Sequence, residues 1–311
     1  GLALTGALVS ACGGSNDPGT LAEEASARGF SALVAASTKA GLVPALSSSS
    51  SNLTVFAPTD AAFTSLATTL GFASATAMVN TLDAATLAKI LQYHVLPTAK
   101  TAAQIAGGGA TQATLYTFEG AASTLSVSST GGVKLTDEVL TQATVTTADV
   151  SASNGVIHVI DKVLVPPGVL DIVQMAKLNP TFSVLVEAVV AANLANALSG
   201  AGPLTVFAPT NDAFTAALTE LSLTKAQLLA SPSLSGILTY HVVNGNVRAA
   251  DVVALPKPAS VATLQGSTFS VGTTLAITDG RTRVANLVAT DVIASNGVIH
   301  VIDKVLLPPI N

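Results

Sequence analysis

The sequence predicts an α+β fold built from two tandem copies of one module, each with helices in its first part and strands in its second. Three blocks occur twice in the same order. They are TVFAPTDAAF at 54–63 and TVFAPTNDAF at 205–214, LQYHV at 91–95 and LTYHV at 238–242, and SNGVIHVIDKVLVPP at 153–167 and SNGVIHVIDKVLLPP at 295–309. Repetition of ordered blocks indicates an internal duplication. The spacing between partner blocks shrinks along the chain, which indicates short deletions in the connections, where deletions are tolerated.

Composition narrows the class of protein. The chain has 311 residues, of which 49% are hydrophobic and 10% charged, with a formal net charge of −5. So many apolar residues can form a core in each copy, and they argue against a disordered chain. A nucleic-acid partner is not expected, because phosphate binding needs clustered Lys and Arg. A single cysteine rules out an intramolecular disulfide and a cysteine-based metal site.

That cysteine, Cys12, follows a short apolar segment without charges at 1–11. The segment looks like the hydrophobic region and lipobox of a bacterial lipoprotein signal. We therefore predict that residues 1–19 comprise a signal remnant, a lipid on Cys12 and a flexible tether. Contact with a membrane would come only through that lipid, since no segment has the ~20 uninterrupted apolar residues of a spanning helix.

The first copy is predicted to begin with a helix over 20–46 and a short strand over 53–56. Thr59 then has the residue type of a helix N-cap, with Asp60 in the first turn and Phe63 on the buried face. In the second copy, Thr210 and Asp212 are expected to take the roles of Thr59 and Asp60.

A further amphipathic helix precedes each Tyr-His pair. Leu87, Ile90, Leu91 and His94 stand at helical spacing, and so do Leu234, Ile237, Leu238 and His241. The second of these helices is predicted to start with Ser231 as its cap and Pro232 at its first position. Both histidines are therefore expected at the end of a helix, beside its apolar stripe.

The remainder of each copy is rich in Thr and Val and reads as strands. The predicted strands are 114–118, 124–128, 132–135 and 144–147 in the first copy, and 260–264, 268–271, 275–277 and 283–287 in the second. An Asn-Gly turn and an apolar strand close each copy. The Pro-Pro-Gly at 166–168 marks the boundary, so the predicted domains are 20–167 and 168–311.

The FAPTD, Tyr-His and NGxIHxID motifs, present twice and in order, make the chain resemble the fasciclin domain family. The resemblance implies a wedge-shaped module with a β-sandwich of about seven strands flanked by helices. It also implies an extracellular location and a role in cell adhesion, with some members binding matrix components or apolar pigments. The family positions in this sequence are Thr59, Asp60, Asn154, Gly155, His158, Asp161, Thr210, Asp212, Asn296, Gly297, His300 and Asp303. FAPTN in the second copy departs from the pattern.

Two interpretations of the Tyr-His pairs remain open. The resemblance implies an adhesion motif formed by Leu91, Tyr93, His94 and Val95, and again by Leu238, Tyr240, His241 and Val242. The alternative is a packed core histidine that hydrogen-bonds a carbonyl group near the helix end.

Catalysis is not expected. In a strand, His158 and Asp161 point to opposite faces, so they cannot form a dyad within their own block. Asp161 is instead expected to bond a turn or to pair with Lys162, and Asp303 likewise with Lys304. The chain lacks the GxSxG, GxxxxGK and HExxH patterns, and we expect no cofactor and no metal.

The sequence thus favours a secreted, lipid-anchored adhesion protein of the cell envelope. Its partner would be a cell-surface or matrix protein or a polysaccharide. The alternative is a carrier that holds an apolar ligand, a lipid or carotenoid, in a groove. A mean hydropathy of +0.60 is compatible with such a groove, although abundant alanine raises the same value.

Overall fold

The computed structural model describes residues 16–311, so the predictions for Cys12 and for the first residues of its tether lie outside the described residues. The first domain begins with helices and ends with strands. Its elements are α1 Leu21–Ala27, α2 Ser31–Ala40, α3 Val43–Ser47, β1 Leu53–Pro58, α4 Asp60–Thr69, α5 Ala75–Thr81, α6 Ala84–Gln92, β2 Val95–Leu96, α7 Ala102–Gly107, β3 Thr111–Phe118, β4 Ala121–Ser128, β5 Lys134–Thr136, β6 Gln142–Ala152 and β7 Gly155–Ile160.

The second domain repeats this order. Its elements are α8 Ile172–Lys177, a 3-10 turn Pro180–Phe182, α9 Ser183–Ala191, α10 Ala195–Leu198, β8 Leu204–Pro209, α11 Asn211–Leu221, α12 Lys225–Ala230, α13 Leu234–Thr239, β9 Val242–Asn244, α14 Ala249–Ala254, β10 Ala259–Ala262, β11 Thr268–Val271, β12 Ile277–Thr278, β13 Val284–Ala285, β14 Leu287–Ala294 and β15 Gly297–Ile302. The predicted α+β class is confirmed.

The sheets place the first and last strands of each domain side by side. In the first domain the strand order is β2-β1-β7-β6-β5-β4-β3, with β1 parallel to β7 over six residue pairs. The second domain has β9-β8-β15-β14 in one sheet and β10-β11-β12-β13 in another, with β8 parallel to β15. Because β1 and β7 are buried strands in mid-sheet, their residues are mostly apolar, with Thr54 and His158 as the buried polar exceptions.

Two predicted helices differ in the structure. The helix predicted over 20–46 is three short helices, because Gly29 and Gly41 adopt left-handed backbone angles (φ +79° and +74°) that end α1 and α2. The helix α13 starts at Leu234 rather than at Pro232. The Ser231 hydroxyl accepts a hydrogen bond from the Ser233 amide instead of capping the helix.

The helices and the sheet enclose two apolar clusters in each domain. In the first domain, one cluster lies between the helices and the β1–β7 pair. In the second domain, the matching cluster lies between α8–α13 and the β8–β15 pair. The other lies inside the remaining strands, around Tyr93 in the first domain and around Tyr240 in the second. Between residues 16 and 311, no helix combines the length and the apolar character needed to cross a bilayer.

The two domains contact each other directly. Val139 and Val165 of the first domain belong to the main apolar cluster of the second. Across this contact the Asn179 amide group donates to the Val139 carbonyl oxygen at 2.9 Å, and at the junction itself the Gly168 amide donates to the Ile293 carbonyl oxygen at 3.0 Å. We refer to this contact as the seam.

Candidate functional site

The structure places both Tyr-His pairs inside the core. Tyr93 and His94 are each 1% exposed, and Tyr240 and His241 are 0% and 2% exposed. The flanking Leu91, Val95, Leu238 and Val242 are also buried. The tyrosine hydroxyls donate inward to strand carbonyl groups of β4 and β11. These contacts favour the core interpretation of the pairs, while their role in adhesion stays a hypothesis.

His94 joins the end of α6 to the segment after β7. Its Nδ1 lies 2.7 Å from the Ile90 carbonyl oxygen, and its Nε2 accepts a hydrogen bond from the Leu164 amide at 2.8 Å. Because a carbonyl oxygen only accepts and an amide only donates, the ring must be neutral with its proton on Nδ1. His241 makes the same two bonds, to Ile237 and Leu306.

Burial keeps these rings uncharged. Removal from water is the largest effect and lowers the pKa of His94 from 6.5 to about 4, against the hydrogen bond to Ile90, which raises it. Burial likewise lowers the pKa of His241 to about 4. A neutral ring whose two nitrogens are both hydrogen-bonded has no free lone pair for a substrate proton or a metal ion. The geometry of His94 and of His241 is therefore that of a structural residue.

His158 performs a different structural task on the sheet. The strand β6 bulges at Asp149, which has a left-handed φ of +59°. The Asp149 amide donates to His158 Nδ1 at 3.0 Å, and His158 Nε2 lies 2.7 Å from the Lys100 carbonyl oxygen. His300 makes the equivalent bonds around the bulge at Asp291. The imidazole thereby accepts a hydrogen bond from a bulge amide that does not pair with the neighbouring strand.

Asn154 ties the start of its domain to the last hairpin. Its side-chain oxygen accepts from the Leu21 amide at 2.8 Å, and its amide group donates to the carbonyl oxygens of Leu46 and Ser48 at 3.0 Å. Asn296 makes the matching three bonds in the second domain. The sequence pattern indicated a turn here and gave no sign of these long-range contacts.

Thr59 and Thr210 cap α4 and α11, as their residue type predicts. Asp60 also accepts a bond from the Ala32 amide at 2.9 Å, which fixes the start of α2. In the second domain this role belongs to Asn211, which accepts from the Val184 amide at 3.0 Å. Asp212 lies exposed in the first turn of α11, where the sequence places an acid, but the bond to the neighbouring helix is made by Asn211 instead.

Asp161 and Asp303 are exposed and accept backbone amide bonds from Thr144 and Asn286, which lie beside the last hairpins. The alternative pairing with the adjacent lysines does not occur, because Lys162 pairs with Asp137 and Lys304 lies near Glu220.

Two buried carboxylates escaped the sequence interpretation. Asp137 accepts from the Val165 amide and from Lys162, and Asp279 accepts from the Leu307 amide and from Arg283. The signal that marks them is a Thr-Asp pair repeated at 136–137 and 278–279. In the part of the chain that the structure describes, no three His, Cys, Asp or Glu side chains gather as a metal site would require.

An apolar cleft lies in the second domain between α8–α10 and the β8–β15 pair, and the end of α13 closes it. The lining side chains nearly fill it and leave only thin gaps, with a cavity volume of about 30 Å³. Its lining is aliphatic and aromatic apart from the ring of His241. The matching cleft of the first domain has a larger cavity volume, about 120 Å³, and has Ser37 and Thr38 where the second has Val189 and Val190.

Comparison with known proteins agrees with the duplicated motifs. The model of the "Fasciclin domain" family matches residues 28–166 and 180–308. Protein sll1483 of Synechocystis sp. is 48% identical over 146 residues, which cover 45% of this chain and 74% of that protein. Transforming growth factor-beta-induced protein ig-h3 of Sus scrofa is 37% identical over 164 residues, 52% of this chain and 22% of ig-h3.

Among solved structures, a FAS1 domain pair from the insect cell adhesion molecule fasciclin I aligns over 92% of this chain and 98% of its own. The TM-score is 0.46 and the sequence identity is 20%. The family match alone spans most of the chain, once in each half. The chain therefore belongs to the fasciclin domain family and carries the domain twice.

Proposed function

We propose that this chain is a non-catalytic tandem module of the cell surface that acts in adhesion or in contact with an extracellular matrix protein or polysaccharide. The observation that carries the proposal is that the histidines of the family motifs hold the fold together. All four histidines bond only to backbone groups or lie beside bulge aspartates, so the motif forms the scaffold. The exposed loops and outer strands of the two repeated domains are then the contact surfaces, an arrangement suited to bivalent contact.

We further propose that residues 1–19 supply the attachment to the envelope through a lipid on Cys12, and that the domains span 20–167 and 168–311. The apolar segment before Cys12 supports this proposal. A lipidated chain stays with the membrane fraction in the presence of 1 M salt and enters detergent. The matched variant, C12S, should be released in folded form.

The adhesion proposal is tested by deleting the chain from its host and measuring attachment and biofilm cohesion. We expect a loss that the full chain restores and that C12S does not, because the released variant cannot link a cell to its surroundings. Unchanged attachment in the deletion strain would contradict the proposal.

A second candidate function, carriage of an apolar ligand, is favoured by the cleft of the second domain. Ligand pockets are mostly apolar with a few placed polar groups, and this lining satisfies the first condition. Because its space is divided into thin gaps, entry of a lipid or carotenoid requires α9 to move away from the sheet. The contrast between the apolar Val189-Val190 and the polar Ser37-Thr38 favours the second domain for this function.

Native mass spectrometry of protein from its own host tests this candidate, before and after extraction with organic solvent. An apolar mass that is lost on extraction, and that V189S/V190T no longer retains, would support it. The control S37A/T38V changes the equivalent positions of the first domain and should retain the mass. A protein mass without any ligand would remove the candidate.

A further inference from the structure

Three charged residues at the seam have no charged counterpart in the other copy of the module. Glu119 in the β3–β4 turn corresponds to Gln265, and Glu138 after β5 corresponds to Gly280. Arg248 stands at the N-cap of α14, where the first domain has Thr101 at the N-cap of α7. Residues that build the fold are shared by the two copies, as the histidines and asparagines are. These three belong instead to the contact between the copies.

Glu138 reaches directly across the seam. Its Oε1 accepts a hydrogen bond from the Ile293 amide of β14 at 2.8 Å, while its own amide donates to the Val165 carbonyl oxygen. The Ile293 carbonyl oxygen in turn accepts from the Gly168 amide. Both backbone groups of Ile293 are therefore held by residues at or before the domain junction, and the Glu138 side chain is half-buried among them.

Three charged groups face this carboxyl, those of Asp137, Asp291 and Arg248. Asp137 precedes it and is paired with Lys162 at 2.5 Å. Asp291, on β14, lies 4.0 Å from His300. Arg248, on the same side, is engaged by Glu119 through two hydrogen bonds. The environment thus holds two further carboxylates and one cation that is already paired, which disfavours a negative charge on Glu138.

We propose that Glu138 is a pH-sensitive latch between the two domains, which holds the seam closed when its carboxyl is protonated and weakens it when the carboxyl ionises.

The pKa of Glu138 supports this direction. Burial, the largest effect, raises it from 4.5 to about 7, the bond from the Ile293 amide opposes the rise, and Asp137 and Asp291 add to it. An open seam would return the carboxyl to water and to an ordinary pKa. Its contribution to closure is then complete below about pH 4.5 and is lost as the pH rises through 7. The ratio of open to closed seam would rise by up to about 300-fold.

Amide hydrogen exchange of the full chain at pH 5 and pH 8, corrected for intrinsic exchange rates, tests the latch. In the unmodified protein we expect peptides over 166–168 and 287–294 to lose protection at least tenfold at pH 8. E138Q keeps a hydrogen-bond acceptor for the Ile293 amide without a charge, so it should stay protected at both pH values.

R248T, which installs the residue type of Thr101, serves as the control. It removes a pair that is ionised across this pH range, so it should lower protection at both pH 5 and pH 8 and retain the pH dependence, because Glu138 is still present. An unmodified protein with the same protection at both pH values would overturn the proposal. So would an E138Q variant that loses protection at pH 8 as the unmodified protein does. Urea unfolding of E138Q checks that the variant is folded.

Discussion

Each histidine of this chain bridges two backbone segments that are far apart in sequence. His94 spans 70 residues to the Leu164 amide, and His158 spans 58 residues to the Lys100 carbonyl oxygen. A neutral imidazole suits this task because it donates at one nitrogen and accepts at the other. The bridges of His94 and His241 hold only while these two rings remain neutral, which makes them sensitive to acid.

We expect the free energy of unfolding to fall as the pH drops from 7 to 4.5. The pKa of His94 and of His241 is lowered from 6.5 to about 4 in the folded protein, so the unfolded chain binds protons in this range that the folded protein does not. The loss is up to roughly 3 kcal/mol for each ring at ~1.4 kcal/mol per pKa unit. Urea unfolding at pH 7, 6, 5 and 4.5 measures it.

The measurement belongs in the E138Q background, because the raised pKa of Glu138 changes stability in the opposite direction over the same range. A free energy of unfolding that stays constant from pH 7 to 4.5 in that background would contradict the role assigned to the histidines.

The asparagine of the last hairpin should be the most costly polar residue to remove. N154A leaves the Leu21 amide and two carbonyl groups without partners, at about 1–3 kcal/mol for each buried group. We expect the free energy of unfolding of the first domain alone to fall by roughly 3 kcal/mol or more. Calorimetry measures this change. N296A should affect the second domain. N52A, at an exposed loop position, is the control and should have no effect.

Residue types with local roles could be predicted from the sequence, and those with distant partners could not. Thr59 caps α4 through an amide three residues away, a contact that its residue type and position imply. Asn211 replaces Asp60 because either side-chain oxygen can accept from an amide. The sequence suggested Asp212 because charge, rather than acceptor geometry, was taken as the shared property. Asn154 bonds across 133 residues, which no local pattern encodes.

At the scale of elements, the parallel pairing of first and last strands explains the glycine of each Asn-Gly pair. A Cβ atom on Gly155 would overlap the carbonyl oxygen of Leu53, and one on Gly297 would overlap that of Leu204. The glycines therefore permit close approach of β1 to β7 and of β8 to β15, beyond their part in the turn.

We expect G155A and G297A each to destabilise their domain by more than ~2 kcal/mol, since strand backbone must shift to admit the methyl group. Chemical denaturation provides the measurement. The control is G236A in α13, where an added Cβ meets no atom within 4 Å and helix propensity should raise stability by about 0.5–1 kcal/mol. Equal effects of G155A and G236A would refute this account of the motif.

Element order and class were accessible from the sequence, but several boundaries were not. The apolar and Thr-rich runs indicated the strands, yet β6 extends through Ala152 because bulges let it follow β7 past residues of mixed polarity. The early helix was predicted as one element because its apolar spacing continues across Gly29 and Gly41. Backbone conformation at those two glycines, rather than side-chain pattern, divides it.

At the scale of the whole molecule, the ion pair between Glu119 and Arg248 joins the two domains near the surface. The guanidinium group donates two hydrogen bonds to the carboxylate, and the side chains remain 30% and 52% exposed. We expect a double-mutant cycle of R248T and E119Q to give a favourable coupling at low salt that disappears in 1 M NaCl, since solvent ions screen exposed pairs. A coupling that is insensitive to salt would argue against a surface pair.

The pairing of β1 with β7 also determines how the molecule would carry a mechanical load. The Ser153 amide donates to the Gly19 carbonyl oxygen, and the Ser295 amide donates to that of Leu170. The chain therefore enters each domain near the first residue of the last strand. It leaves the domain beyond the last residue of that strand, about 20 Å away. Tension between the ends runs along β7 and shears it against β1, so that six rungs must break together rather than one after another. A chain fixed to a cell at one end and to a surface at the other would resist flow in its strongest direction.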